Sequence, residues 1–203
     1  MNPLIHSKIS VANRKGIVDD YFPIHFFMDS TKEICSDNRH RILHNLWGIR
    51  RVIIPIFGKS FINSDGKEVS VKDLCEQDHI LPDYNQKFIP TLGDFVDELL
   101  DLSTIEKKRI DAIYDSFSFN TNIQELLISP LNITGQLKGL RITHSIWFIN
   151  QILPKIFSLK PRTDSLIHIP IFDGMKFKSW MDNGTTLPKS ALNLKATNEK
   201  IHN

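Results

Sequence analysis

The segment RILHNLWGIRRVIIPIF, residues 41–57, decides the predicted fold because its apolar residues recur at helical spacing. They follow the i, i+4, i+7, i+11, i+14 pattern that is typical of one buried helix face, at Ile42, Leu46, Ile49, Ile53 and Ile56. Ser36 or Asp37 is expected to cap this helix, and Pro55 to limit its continuation. The segment therefore predicts a core helix.

A related segment, RITHSIWFINQILPKIF, occupies residues 141–157. Seven of 17 positions are identical in the two segments, where about one identity is expected by chance. This similarity predicts an internal duplication. We expect residues 1–103 to form a motif-bearing helical domain, and residues 104–203 to form a degenerate helical repeat with a polar C-terminal tail.

Other segments add helices and one small hairpin. SFINSDGKEVSV, residues 60–71, predicts two strands that turn at Asp65 and Gly66. Ser70 and Thr91 are expected to cap further helices. The predicted fold is therefore mainly α, with two related helical units and a small β-hairpin in the first.

Composition excludes several functional classes. The 25 basic and 23 acidic side chains among 203 residues give a net charge of only +2, so nucleic acid is not indicated as a partner. No apolar stretch approaches the roughly 20 residues of a membrane span. Two cysteines, Cys35 and Cys75, and the absence of a signal-like start lead us to expect a cytoplasmic protein with free thiols.

Histidines concentrate in the first part of the chain, where five of the eight lie before residue 80. Helical spacing places paired side chains on one face, and three such pairs occur: His40 with His44, His25 with Asp29, and Glu76 with His79. The segment RHR around His40 becomes GLR around Leu140 in the second copy. We therefore expect any site to lie within residues 1–100.

These residue types suit a divalent metal such as zinc, iron or manganese. The predicted metal ligands are nitrogen and oxygen donors, namely His6, His25, Asp29, His40, His44 and His79. His40 and Glu76 are the predicted catalytic residues, and Arg39, Arg41 and Trp47 are predicted to bind an anionic substrate.

Structural explanations of the same residues stay open. His44 recurs as His144 beside a recurring tryptophan, which is also typical of a packing pair. The other two pairs are equally compatible with a solvated helix face. The H-x-x-x-H spacing lacks the glutamate of a zinc-protease helix, and no glycine-rich phosphate loop occurs.

Several polar blocks follow one another in the first 100 residues: HSK from His6, DYFPIHFFMDSTK from Asp20, DNRHRILH from Asp37, NSDGKEVSV from Asn63, EQDH from Glu76 and IPT from Ile89. Their order resembles an uncharacterised domain of about 100 residues found in phages and bacteria. The resemblance implies that the family's polar motif positions fall here on His6, His25, Asp29, Arg39, His40, His44 and Glu76. It implies no particular activity, and residues 104–203 lie beyond it.

Two functions are expected from these observations. The first is a metal-assisted hydrolase that acts on a phosphoester or nucleotide-like anion. The alternative is a non-enzymatic phage or bacterial accessory protein, for example one that acts in host defence, that binds a small anionic ligand or a protein partner.

Overall fold

The computed structural model describes residues 1–160 and 169–194. Helices dominate these residues, and one two-stranded hairpin accompanies them, which confirms the predicted mainly α fold. Contacts divide the chain into two compact units. The first unit comprises residues 1–94 with the described part of 177–203, and the second comprises the described part of 95–176. Of the predicted polar tail, residues 195–203 lie outside the described residues.

Short polar caps define where the helices of the first unit begin. The side chain of Asn2 accepts the N–H of Ile5 at 2.9 Å, and Asp37 accepts that of Arg39 at 2.9 Å, as predicted for a cap. In chain order the helices up to residue 97 are α1 (Pro3–Arg14), α2 (Val18–Met28), two 3-10 helices (Ser30–Glu33 and Asn38–Leu43), α3 (Leu46–Gly48), a π-helical segment (Ile49–Ile53), α4 (Ile54–Phe57), α5 (Val71–Asp73), a second π-helical segment (Leu74–Ile80), α6 (Leu81–Asp83) and α7 (Leu92–Asp97).

The single helix predicted for residues 41–57 is interrupted at His44 and Asn45. Asn45 adopts an extended backbone (φ −154°, ψ 169°), and its side chain accepts the N–H of Gly48 at 3.0 Å to cap α3. Gly48 is required there because a Cβ at this position would clash with the Leu43 carbonyl. The prediction of one uninterrupted helix was therefore wrong.

This interruption also changes which apolar residues are buried. Ile42, Ile49 and Ile53 are fully buried as predicted, but Leu46 is 41% exposed. The extended backbone of Asn45 separates Ile42 from Leu46, so the 3.6-residue pattern fails between these two residues. Pro55 lies in the first turn of α4, where its missing N–H costs little.

The hairpin and the helix after it follow the prediction. β1 (Ser60–Ile62) pairs antiparallel with β2 (Glu68–Ser70). Gly66 supplies the positive φ of +74° in the turn. The hydroxyl of Ser70 then accepts the N–H of Asp73 at 3.3 Å and caps α5.

Residues 177–194 belong to the first unit although they lie far along the chain from its other residues. A 3-10 helix spans Ser179–Met181 in this segment. The guanidinium of Arg41 donates to the carbonyl of Met181 at 2.9 Å, and the hydroxyl of Ser190 donates to Asp94 at 2.6 Å. This segment therefore helps to enclose the polar interior described below.

The second unit is also helical. Ser103 and Glu106 form a reciprocal capping box at the start of its first helix. Its described helices are α8 (Thr104–Asp115), α9 (Thr121–Thr134), a 3-10 helix (Leu137–Gly139), α10 (Leu140–Thr143), a π-helical segment (Phe148–Ile152), α11 (Leu153–Phe157) and a 3-10 helix (Phe172–Gly174). Within residues 1–160 and 169–194, no helix is both long enough and apolar enough to cross a membrane.

Candidate metal centre

Seven histidine and aspartate side chains meet in the interior of the first unit, and each is at most 4% exposed. We call them the His/Asp cluster: His6 from α1, His25 from α2, Asp29 at the end of α2, His40 and His44 from the 3-10 helix and its C-cap, His79 from the second π-helical segment, and Asp83 from α6. The structure thus brings together the six residues that the sequence predicted as metal ligands and adds Asp83.

Asp29 is the residue that three imidazoles face. Its Oδ1 lies 3.3 Å from Nε2 of His40, 3.5 Å from Nε2 of His44 and 3.6 Å from Nε2 of His79. These distances exceed the roughly 3.2 Å limit of a good N–H···O hydrogen bond, and none of the four atoms forms a hydrogen bond with any described residue. Two ligands about 2.1 Å from a tetrahedral ion lie about 3.4 Å apart. Each of the three distances therefore matches the separation of two ligands on one metal ion.

The opposite ring nitrogen of His40 is anchored to the backbone. Nδ1 of His40 lies 2.6 Å from the carbonyl oxygen of Asp37, and because a carbonyl only accepts, this nitrogen carries the proton. In the neutral ring Nε2 then has a bare lone pair directed at the carboxylate of Asp29. A nitrogen lone pair and a carboxylate oxygen that face each other can both bind one cation that lies between them.

His79 is anchored in the same way through a chain of side chains. Its Nδ1 lies 2.9 Å from Nδ1 of His25, and Nε2 of His25 lies 2.8 Å from the hydroxyl of Ser10. That hydroxyl donates to the carbonyl of His6 at 3.2 Å. Hydrogen-bond donation can follow one direction along this chain: Nδ1–H of His79 donates to Nδ1 of His25, and Nε2–H of His25 donates to the hydroxyl oxygen of Ser10. Nε2 of His79, which faces Asp29, then carries no proton.

Burial favours the neutral form of three of the imidazoles. Burial lowers the pKa of His44 to about 4, and burial together with the neighbouring His6 lowers the pKa of His79 to about 3. Burial and the adjacent histidines lower the pKa of His25 to about 2. Burial alone would raise the pKa of Asp29, but the three imidazoles that face it hold the pKa below its ordinary value. Neutral imidazoles and an ionised carboxylate are the protonation states that bind metals.

Asp83 lies beside the ring nitrogen of His44 that faces away from Asp29. Its Oδ2 lies 3.4 Å from Nδ1 of His44 and 3.9 Å from Nε2 of His79. Asp29, His44, His79 and Asp83 each offer one ligand atom within 4.8 Å of the others, so this buried group could hold a metal ion.

Two positive groups and one imidazole already surround Asp83. Nε of Arg41 lies 3.3 Å from its Oδ2, whereas its Oδ1 lies 2.5 Å from the amino group of Met1 and 3.3 Å from Nε2 of His6. Burial would raise the pKa of Asp83, but His6 and the neighbouring His44 hold it well below its usual range. The carboxylate of Asp83 is therefore ionised and firmly held.

Glu76 lies apart from this cluster although its sequence spacing from His79 suggested a pair. The π-helical segment displaces the two side chains from each other, because its turn contains more residues than an α-helical turn. The carboxylate of Glu76 forms an ion pair with Lys72 at 2.7 Å.

The three predicted substrate-binding residues take different positions. Arg41 is buried, with its guanidinium against Asp83 and 5.3 Å from the centre of the Tyr84 ring. Arg39 forms an ion pair with Asp37 at 2.9 Å, and Trp47 is only 4% exposed. Neither arginine offers its guanidinium group to a substrate in these positions, because both groups are paired with aspartates.

Asp83 is the site residue that sequence reasoning missed. It belongs to HILPD, residues 79–83, which has the same H-x-x-x-D spacing as HFFMD, residues 25–29. The recurrence of this spacing is a signal that could have identified it.

Comparisons with curated proteins and with solved structures gave no match. A family model described as a domain of unknown function, DUF6915, matches residues 1–104, which is more than half of the 203-residue chain. The matched range contains every member of the His/Asp cluster. The chain therefore belongs to the family of the domain of unknown function DUF6915.

Proposed function

We propose that the first unit is a metal-assisted hydrolase that acts on a phosphoester or nucleotide-like anion. The observation that carries this proposal is the arrangement of three imidazole Nε2 atoms 3.3, 3.5 and 3.6 Å from one buried carboxylate oxygen of Asp29. Such a set of nitrogen and oxygen donors suits zinc, iron or manganese.

In this proposal the ligands are Asp29, His40, His44 and His79. A divalent ion held by them would lower the pKa of a bound water and polarise a phosphoryl oxygen. Hydrolysis then adds the oxygen of water to phosphorus, breaks the P–O bond of the ester and returns a proton to the leaving oxygen.

The remaining members of the cluster position these ligands. The carboxylate of Asp83 lies 3.4 Å from Nδ1 of His44, and Nδ1 of His25 accepts the Nδ1 proton of His79, so Asp83 and His25 orient these two rings. Glu76 has no role in this assignment, because its carboxylate is paired with Lys72 outside the cluster.

A second candidate function is a non-enzymatic protein that binds a ligand or a protein partner and uses the metal only for stability. The near-complete burial of the ligands favours it, since four protein ligands close a tetrahedral zinc site. A larger coordination number, as manganese or iron accepts, would leave positions for water and substrate.

Metal-loaded full-length protein is expected to release phosphate from simple phosphate esters or nucleotides, and His40→Ala is expected to lower kcat/KM about 100-fold or more because it removes one ligand. The measurement is phosphate release with zinc, iron and manganese supplied separately. His144→Ala is the matched control, because His144 is a buried histidine of the second unit that lies outside the cluster.

Loss of activity in both variants would indicate a general folding defect rather than a ligand role for His40. Stoichiometric metal without turnover of any ester would contradict the hydrolase and favour the non-enzymatic candidate.

A further inference from the structure

We propose that a cavity of about 270 Å³ on the first unit receives an arginine side chain of a protein partner. The cavity is lined by residues from the start of α1, from α2 and from the short 3-10 helix that follows α2. This inference goes beyond the proposed function and does not depend on it, since it requires neither a metal nor hydrolysis.

Much of the cavity lining is apolar. Pro3 and Leu4 of α1 form one part of it, and Phe22 and Phe26 of α2 form another. The two phenylalanines lie one helical turn apart, with their ring centres 5.7 Å from each other and an angle of 26° between the rings. They therefore present a stacked aromatic surface at the cavity.

Exposed apolar side chains line the cavity and continue beside it. Phe22 is 37% exposed and Phe26 is 52% exposed, and Leu4 is exposed as well. Ile5 and Ile34, which follow lining residues in the chain, are also exposed. A site for a free small molecule usually encloses most of its ligand, whereas an extended apolar patch is typical of a protein-binding surface. A protein partner is therefore the occupant that would cover these side chains.

The charged residues of the lining leave one net negative charge. Nζ of Lys32 lies 2.7 Å from Oδ2 of Asp29 and donates to the carbonyl of Met1 at 3.0 Å, so this cation is already paired. Glu33 also lines the cavity and is exposed, and it has no ion-pair partner in the part of the chain that the structure describes. A single positive charge therefore complements the cavity, whereas an anion would be repelled by the carboxylate of Glu33.

Arginine is the side chain that matches both the aromatic rings and the carboxylate. Its planar guanidinium stacks on aromatic rings and forms forked hydrogen bonds with a carboxylate, which the compact ammonium group of lysine does not. Its aliphatic stem packs against apolar walls such as Leu4. Arginine is also enriched among the residues that dominate the binding energy of protein interfaces. The cavity therefore fits an arginine that anchors a partner.

Blocked tripeptides test this site on the full-length protein by NMR titration. Acetyl-Leu-Arg-Leu-amide is expected to bind about 10-fold more tightly than the same tripeptide with citrulline, which has the shape of arginine without its charge. Glu33→Gln is expected to lower this preference about 3-fold, because it removes the unpaired carboxylate. Phe26→Ala is expected to weaken the binding of both tripeptides, because it removes half of the aromatic surface.

Two variants of the second unit are matched controls that are expected to bind both tripeptides as the unmodified protein does. Phe119→Ala removes an exposed phenylalanine, and Glu125→Gln removes the charge of an exposed glutamate.

Several results would overturn the arginine site. They are no detectable binding of the arginine tripeptide, equal affinity for the arginine and citrulline tripeptides, equal affinity for a lysine tripeptide, or an unchanged preference in Glu33→Gln. Binding of N-ethylguanidine as tightly as the arginine tripeptide would also contradict the proposal, because the occupant would then be a free organic cation rather than a protein partner.

Discussion

Asp29→Asn is expected to abolish the stabilisation that a divalent metal gives to the chelator-treated protein. A metal that binds only the folded chain raises the free energy of unfolding by about 4 kcal/mol when its free concentration is about 1,000 times its Kd. The asparagine amide lacks the negative charge on the oxygen that His40, His44 and His79 face. Thermal unfolding with and without metal measures the effect.

Asp94→Asn provides the matched control for this experiment. Asp94 is also a buried carboxylate of the first unit, but it accepts hydrogen bonds from Thr91 and Ser190 instead of facing the imidazoles. This variant is expected to lose stability yet to keep its full response to metal. A metal response that survives in Asp29→Asn would show that the ion binds elsewhere.

The metal-free protein is expected to lose stability steeply as the pH falls from about 6.5 toward 4. The folded pKa of His44 is about 4 and that of His79 is about 3, whereas both histidines titrate near 6.5 when exposed. Below pH 6.5 the unfolded chain therefore binds protons that the folded chain does not. Below pH 6.5 each such histidine therefore lowers the free energy of unfolding by about 1.4 kcal/mol per pH unit, until the pH reaches its folded pKa. Above pH 6.5 this loss of stability is absent.

Urea unfolding of chelator-treated protein across this pH range measures the slope. His44→Gln is expected to make the slope shallower, because glutamine takes up no proton in either state. A free energy of unfolding that does not change between pH 6.5 and 4 would show that the imidazoles are not buried in their neutral form.

Local sequence signals predicted much of the candidate site. Helical spacing singled out His25 with Asp29 and His40 with His44, and all four residues lie in the His/Asp cluster. The two histidines near residue 40 do not stack along one helix. His40 lies in a 3-10 helix and His44 at its C-cap, and their ring planes meet at 86°. The helix ends before Asn45, and the turn there depends on a cap and on close packing at Gly48.

The π-helical segments explain where sequence reasoning failed. Spacing rules assume 3.6 residues per turn, so they paired Glu76 with His79. In the structure the wider turn over Leu74–Ile80 separates this pair. Asp83 has the i, i+4 spacing from His79 that the same rules recognise, and its Oδ2 lies 3.9 Å from Nε2 of His79. Such wide turns depend on tertiary packing and leave little trace in local composition.

The internal duplication stays a prediction, with some local parallels. Asn45 and Ser145 each accept a backbone N–H three residues later, and a π-helical segment follows in both places. Burial lowers the pKa of His144 to about 4, as it does for His44, but the ring of His144 contacts the carbonyl of Leu140. The domain boundary expected near residue 103 stays a prediction as well.

The metal content of the protein, purified without a histidine tag and measured by elemental analysis, tests the central claim most directly. The account predicts about one zinc, iron or manganese ion per chain, because the proposal assigns Asp29 and the three imidazoles that face it to one ion. It also predicts loss of that ion in His40→Ala and its retention in His144→Ala. Protein that contains no metal, and that takes up none when zinc, iron and manganese are each supplied, would contradict the account.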